Sequence, residues 1–111
     1  MTERFSDMPD PPYYAVIFSN IQTENNKGYG AMSKRMVDLA SAQPGFLGIE
    51  SVRDGLGITI SYWKDEASIA AWKANVDHQL AQQLGREKWY ASFKTRVCRV
   101  ERDYGFEAES G

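Results

Sequence analysis

Between Tyr13 and Ile21 the chain reads YYAVIFSNI, an uncharged run of aromatic and β-branched residues that predicts a strand. Its alternating positions are Tyr13, Ala15, Ile17, Ser19 and Ile21 on one face and Tyr14, Val16, Phe18 and Asn20 on the other, and both faces are largely apolar. TENNKG follows as a loop. A helix is predicted over residues 28–43, because Tyr29, Met32, Met36, Leu39 and Ala40 recur at steps of three and four while Lys34, Arg35 and Asp38 fall off that stripe. Pro44-Gly45 ends it, since proline cannot continue a helix and disfavours α geometry in the residue before. Phe46–Arg53 reads as a second strand, Asp54-Gly55-Leu56-Gly57 as a turn and Ile58–Trp63 as a third strand, and so short a connection makes the pair an antiparallel hairpin. Asp65 is placed to cap a second helical region over residues 66–89, with Glu66 favourable in its first turn. Its stripe is Ile69, Trp72, Val76, Leu80 and Leu84, and Asn75 and Gly85 are points of kink or division. A last strand is predicted over Ser92–Arg102, with Phe93 and Val97 on one side and Cys98 and Val100 on the other.

The order β-α-β-β-α-β is the ferredoxin-like split βαβ pattern, an α+β fold with a four-stranded antiparallel sheet and both helices on one face. The other face then has no cover from this chain. A sheet open to water on one side alternates apolar with polar residues, yet the first strand is apolar on both sides, and Phe46, Leu47, Ile49 and Trp63 spread across both sides of the next two. A second copy packed sheet to sheet resolves the conflict, so a homodimer is expected. The domain runs over residues 13–104. Residues 1–12, with Pro9, Pro11 and Pro12, form an extended arm, expected to lie across the partner, and 105–111 a polar tail.

A chain of 111 residues holds one domain of this kind. The formal net charge of -2 removes the basic surface that a phosphate-driven nucleic-acid binder uses. No apolar run reaches the roughly 18–20 residues of a membrane span, and MTERFSDMPDPP lacks the apolar centre of a secretory signal. The lone Cys98 cannot form an internal disulfide, which fits a reducing cytoplasm, and its default role is a small core residue. One His and one Cys twenty residues apart give no metal-ligand spacing, and GYGAM lacks the third glycine of a dinucleotide loop, so neither metal nor cofactor is expected.

The element order, with PGFLGIESVRD, ITISYWKDEASIAAWK and RVCRVERDYGF, resembles the antibiotic biosynthesis monooxygenase family over Tyr13 to Tyr104. Its most recognisable pieces are Pro44-Gly45-Phe46, Ser61-Tyr62-Trp63 and the helix carrying Trp72, and the stretch from Gly85 to Tyr90 is similar to a subgroup of uncharacterised members. The resemblance implies a dimeric α+β barrel. It also implies one of two activities: oxidation of polycyclic aromatics by oxygen without metal or flavin, or degradation of heme. The heme branch uses an asparagine on the first strand, a tryptophan on the second helix and a histidine about three turns later. Trp72 matches the tryptophan, whereas the histidine position falls at Gln82 and the asparagine position near Ile17 or Phe18, with Asn20 displaced.

Five residues are candidates for a site. Trp72 either lines a pocket, stacking on a flat substrate, or is core beside Ile69 and Val76. His78 is the single side chain that titrates near neutrality unperturbed, the property of a general base, although on a straight helix it points away from the apolar stripe. Tyr62 offers a hydroxyl to a substrate oxygen, or packs with that hydroxyl satisfied. Phe18 shapes a cavity, and Asn20 orients a polar group or starts a turn. Lys94 and Arg96 on one face of the last strand and Arg99 on the other can meet an anion, or pair with Glu50, Asp54 and Glu101. The favoured function is a cofactor-independent monooxygenase acting on a small aromatic or polyketide-like molecule, with Trp72, Phe18, Tyr62 and Asn20 around the substrate and His78 as base. The alternatives are a non-catalytic dimeric binding module and, third, a heme-degrading enzyme.

Overall fold

The computed structural model describes residues 5–24, 27–82 and 89–108, the side chains of 78–82 excepted. The elements are β1 (Tyr13–Gln22), α1 (Tyr29–Ser41), β2 (Phe46–Asp54), β3 (Leu56–Trp63), α2 (Glu66–Gln82) and β4 (Tyr90–Val100). The sheet order is β2-β3-β1-β4, with every neighbouring pair antiparallel. Each helix links two strands of the same sense that have one strand between them, and right-handed crossovers bring both helices to one face. This is the ferredoxin-like α+β arrangement the sequence predicts.

Trp63 anchors the helix-side core. It is fully buried among Ala40 of α1, Ile69 of α2, Tyr14, Val16, Phe46 and Trp72. Phe46 meets it edge-on at 5.5 Å and Trp72 stacks on it at 6.1 Å. Burying an aromatic ring of this size stabilises the fold by on the order of 4 kcal/mol. Its indole N–H, which would be costly unpaired, donates to Ser61 Oγ at 2.9 Å. At the turn between α1 and β2, Gly45 has φ 85° and accepts a hydrogen bond from Lys64 N at 2.8 Å. A Cβ there would lie 2.1 Å from Ser68 Oγ, so only glycine fits. Ser68 in turn is held by Asp65, whose Oδ1 accepts from Ser68 N at 2.8 Å and Ser68 Oγ at 2.7 Å, the expected cap of α2.

Several boundaries differ from the pattern. The hairpin turn is a single residue, Gly55 at φ 77°, because Asp54 pairs with Leu56, so Leu56 and Gly57 belong to β3. Helix α2 continues through Asn75 to Gln82; Leu84 and Gly85 lie outside the described residues. Cys98 is exposed, not core: β4 is an edge strand, and Cys98 faces the side of the sheet the helices leave open. Two bulges break the alternation. Leu47 is the extra residue between Phe46, opposite Trp63, and Gly48, opposite Tyr62. Ala91 is the extra residue between Tyr90, opposite Gln22, and Ser92, opposite Ile21. Each bulge reverses the facing of what lies before it and turns Phe46 and Tyr90 to the helix side.

The open face of the sheet carries Tyr13, Ala15, Ile17, Ile58, Ile60 and Tyr62. The strand pattern implied no cover for this face from the chain itself, but the N-terminal arm crosses it over β2, where Ser6 N donates to Glu50 Oε2 at 3.1 Å and Ser6 Oγ to Ile49 O at 3.3 Å. Tyr13 is buried under Tyr62, edge-on at 6.0 Å, and donates its hydroxyl to Asp103 of the C-terminal segment. Burial, then the Asp103 carboxylate, pushes the Tyr13 hydroxyl up to about 12. Farther along the face, Val52, Ile21 and Leu56 are exposed. Among the described residues no helix is long and apolar enough to cross a membrane.

Candidate functional site

At the opposite end of the helix face from Trp63, aromatic and polar side chains from five elements converge. β1 contributes Phe18 and Asn20, and the register places Thr95 and Phe93 of β4 beside them and Thr59 and Gly57 of β3 on the other flank. β2 contributes Arg53, paired with Gly57. The first residue of α1, Tyr29, descends onto Tyr90 at the start of β4.

The aromatic part is a continuous set of edge contacts. Phe18 meets Tyr90 at 5.3 Å and Phe93 at 5.5 Å; Tyr90 meets Phe93 at 5.9 Å and Tyr29 at 5.7 Å. Such tilted and T-shaped pairs set the electropositive ring edge against an electronegative face. Phe93 is 40% exposed, and Phe18, Tyr29 and Tyr90 are half-buried, so the set offers an apolar surface reachable from outside.

The polar part is built on Arg53. Its Nη2 donates to Asn20 Oδ1 at 2.5 Å and to the Tyr29 hydroxyl at 3.5 Å, and its guanidinium carbon lies 5.7 Å from the Tyr29 ring centre, within cation–π reach. Asn20 is 2% exposed, and its Nδ2 reaches Gly57 O at 3.5 Å, so the amide is fixed at both ends. The guanidinium lies over Gly57, where a Cβ would stand 2.3 Å from Nη2. Tyr90 donates its hydroxyl to Tyr29 at 3.3 Å. Burial first, and that hydrogen bond second, raise the Tyr90 hydroxyl well above its ordinary value, so it is neutral and a donor at pH 7. Trp89, buried beneath the loop, donates Nε1 to Lys27 O at 3.4 Å, and Thr23 N donates to Trp89 O at 2.8 Å, which ties the entry to α1 onto the start of β4.

The five sequence candidates are separated by the fold. Phe18 and Asn20 stand in this cluster. Trp72 shares the helix face but stacks on Trp63 in the core. Tyr62 lies on the opposite face and donates to Glu50 Oε1 at 2.7 Å; burial and that bond raise its hydroxyl above the ordinary value. The backbone of His78 lies in α2, and its side chain is outside the described residues. Lys94 and Arg96 face the open side, and Arg99 pairs with Glu101 at 3.5 Å. Sequence reasoning missed Arg53, Tyr29, Tyr90 and Phe93 as members of a site. A glycine inside a strand marks a close approach, and Gly57 would have pointed to Arg53 had it not been read as turn. Among the described residues no three His, Cys, Asp or Glu side chains gather as metal ligands.

Residues 12–84, from just before β1 to just beyond α2, match the family model for antibiotic biosynthesis monooxygenase. The chain is 50% identical over 109 residues to uncharacterized protein YqjZ of Bacillus subtilis, covering 96% of each. A shorter match, 33% identical over 48 residues, covers 43% of this chain and 22% of a jasmonate monooxygenase ABM of Pyricularia oryzae. Among solved structures, SnoaB, a cofactor-independent oxygenase from Streptomyces nogalater, aligns with a TM-score of 0.66 at 11% identity, over 84% of this chain and 97% of that one. At that identity the likeness concerns the fold, and the fold is the same helix-covered sheet. Because the family match covers residues 12–84, which hold every element except β4, the chain belongs to the antibiotic biosynthesis monooxygenase family.

Proposed function

We propose that the protein is a cofactor-independent monooxygenase of a small aromatic or polyketide-like substrate, bound against Phe18, Tyr90 and Phe93. The observation that carries this reading is the Tyr29 hydroxyl. It accepts from Tyr90 at 3.3 Å and from Arg53 Nη2 at 3.5 Å, which leaves its own proton to donate to a bound oxygen atom. Two donors behind it, one of them cationic, stabilise the electron density Tyr29 receives when that oxygen becomes an enolate. The names of SnoaB, a cofactor-independent oxygenase, and of the jasmonate monooxygenase support the same class of reaction.

In this reading a base removes a proton from an activated methylene group. His78 is the conventional base, a role that rests on its side-chain chemistry. The resulting carbanion gives an electron to oxygen, and the two radicals join as a carbon–oxygen bond. The peroxide is protonated, and loss of water across the O–O bond leaves a ketone. In sum one methylene group and one dioxygen molecule become one ketone carbonyl and one water: one oxygen atom enters the product and the other leaves as water.

The test is oxygen uptake with anthrone- and quinol-like compounds. Tyr29→Phe removes one oxyanion donor, which typically costs about 10²–10³ in kcat. If no compound in the panel consumes oxygen while aromatics still bind, the protein is a binding module instead. The apolar open face supports a sheet-to-sheet homodimer, with exposed Val52, Ile21 and Leu56 as part of what the second copy covers. A monomer near 12.6 kDa by light scattering at micromolar concentration would refute it.

A further inference from the structure

We propose that Arg53 is a specificity-determining anchor for a carboxylate carried by the aromatic substrate, so that the site selects acids over their neutral analogues. The proposal rests on the reading of the aromatic cluster as the substrate site. Arg53 is exposed, and among the described residues it has no carboxylate within ion-pair distance, whereas Lys34, Lys73 and Arg99 are each paired with an acid. Its neighbour Asp54 cannot serve, because strand alternation points it to the open face opposite Leu56.

This cation is nevertheless held in place. Nη2 is bonded to the buried Asn20 amide, the guanidinium rests near the Tyr29 ring, and the missing side chain of Gly57 makes room for Cζ and both Nη atoms. A long side chain fixed on three sides has already lost most of the rotamer freedom that a swinging surface arginine gives up on binding. Only Nη2 has protein acceptors among the described residues, so the Nε and Nη1 N–H groups remain for a ligand. Guanidinium and carboxylate match in planar geometry and in single charge. A flat acid would lay its ring against Phe93 and Phe18 and its carboxylate toward Arg53, and the Tyr29 proton would remain for the enolate oxygen.

The experiment titrates the protein with 2-naphthoate and with its neutral analogue 2-naphthamide, by calorimetry at low and high salt. Naphthoate should bind about tenfold tighter, equivalent to about 1.4 kcal/mol, and the preference should shrink as salt rises. Arg53→Gln should remove the preference, weakening naphthoate about tenfold more than naphthamide; Arg53→Lys, which keeps the charge, should restore part of it. Equal binding of the two compounds, a preference unchanged in Arg53→Gln, or no binding of either overturns the proposal. Oxygen uptake by the wild-type protein with a neutral anthrone and with an anthrone carboxylic acid reports on the oxygenase reading separately. A naphthoate preference lost in Arg53→Gln, with no uptake by the wild-type protein from either the neutral or the carboxylated anthrone, leaves the carboxylate anchor standing and removes the oxygenase.

Discussion

Replacing Gly57 by alanine tests whether the guanidinium of Arg53 occupies the space above β3. The new Cβ would stand 2.3 Å from Nη2, 2.4 Å from Cζ and 2.8 Å from Nη1. The strand need not move, because the obstructing atoms are the far end of a flexible side chain. The guanidinium leaves, and the buried Asn20 carbonyl loses its donor. An unsatisfied buried acceptor costs about 1–3 kcal/mol, and the exposure of Arg53 lets water replace it, which holds the loss near about 1 kcal/mol. Against this, Gly→Ala at an ordinary strand φ stabilises by about 0.4–1 kcal/mol through the unfolded chain. The two effects nearly cancel in the wild-type background. In an Arg53→Ala background only the second remains, so the same substitution should stabilise. The double-mutant cycle should therefore show a coupling of about 1 kcal/mol. Urea unfolding followed by tryptophan fluorescence resolves this as a midpoint difference of about 0.5 M for a slope near 2 kcal/mol/M. All four variants are compared at one protein concentration, so that any self-association contributes equally to each. A cycle additive within about 0.3 kcal/mol refutes the reasoning.

Gly45→Ala should be strongly destabilising. The left-handed φ of 85° alone costs an L-residue about 1–2 kcal/mol, and Ser68 cannot withdraw from the new Cβ without leaving its Asp65 cap, so the melting temperature should fall by at least about 8 °C. Trp72→Ala should lose about 2–3 kcal/mol in urea unfolding, comparable to Leu39→Ala, because a large but only half-buried ring leaves the Trp63 stack; a loss under about 1 kcal/mol would show that the ring faces space. Tyr13 should titrate near 12 at 295 nm. Its folded pKa is raised, so its contribution is full below the ordinary value of 10 and is lost as pH rises from there through about 12, and Asp103→Asn should move the ultraviolet midpoint down.

Composition and periodicity by themselves determined the element order, the ferredoxin-like sheet, the ends of α1 and the cap of α2, since each follows from local steric and hydrogen-bonding preferences. They also placed Tyr62 and Trp63 on opposite faces, and Phe93 and Val97 opposite Cys98 and Val100, because alternation holds wherever a strand is regular. They named Phe18 and Asn20 of the cluster, but not Tyr29, Arg53, Tyr90 or Phe93. What only the tertiary structure decided is where alternation fails. The extra residues Leu47 and Ala91 are ordinary in type, and nothing local marks them as bulges, yet they turn Phe46 into the core and Tyr90 toward Phe18. Tyr29 sits on the apolar stripe of α1 and reads as core; its place in the cluster comes from Arg53 and Tyr90, which are distant in sequence. Gly57 looks like turn until the register shows that Asp54 and Leu56 close the hairpin around Gly55 alone. A strand's period is fixed by its own backbone, but its register and its breaks are set by the strands beside it, and that is why the cluster around Arg53 appears only once the sheet is assembled.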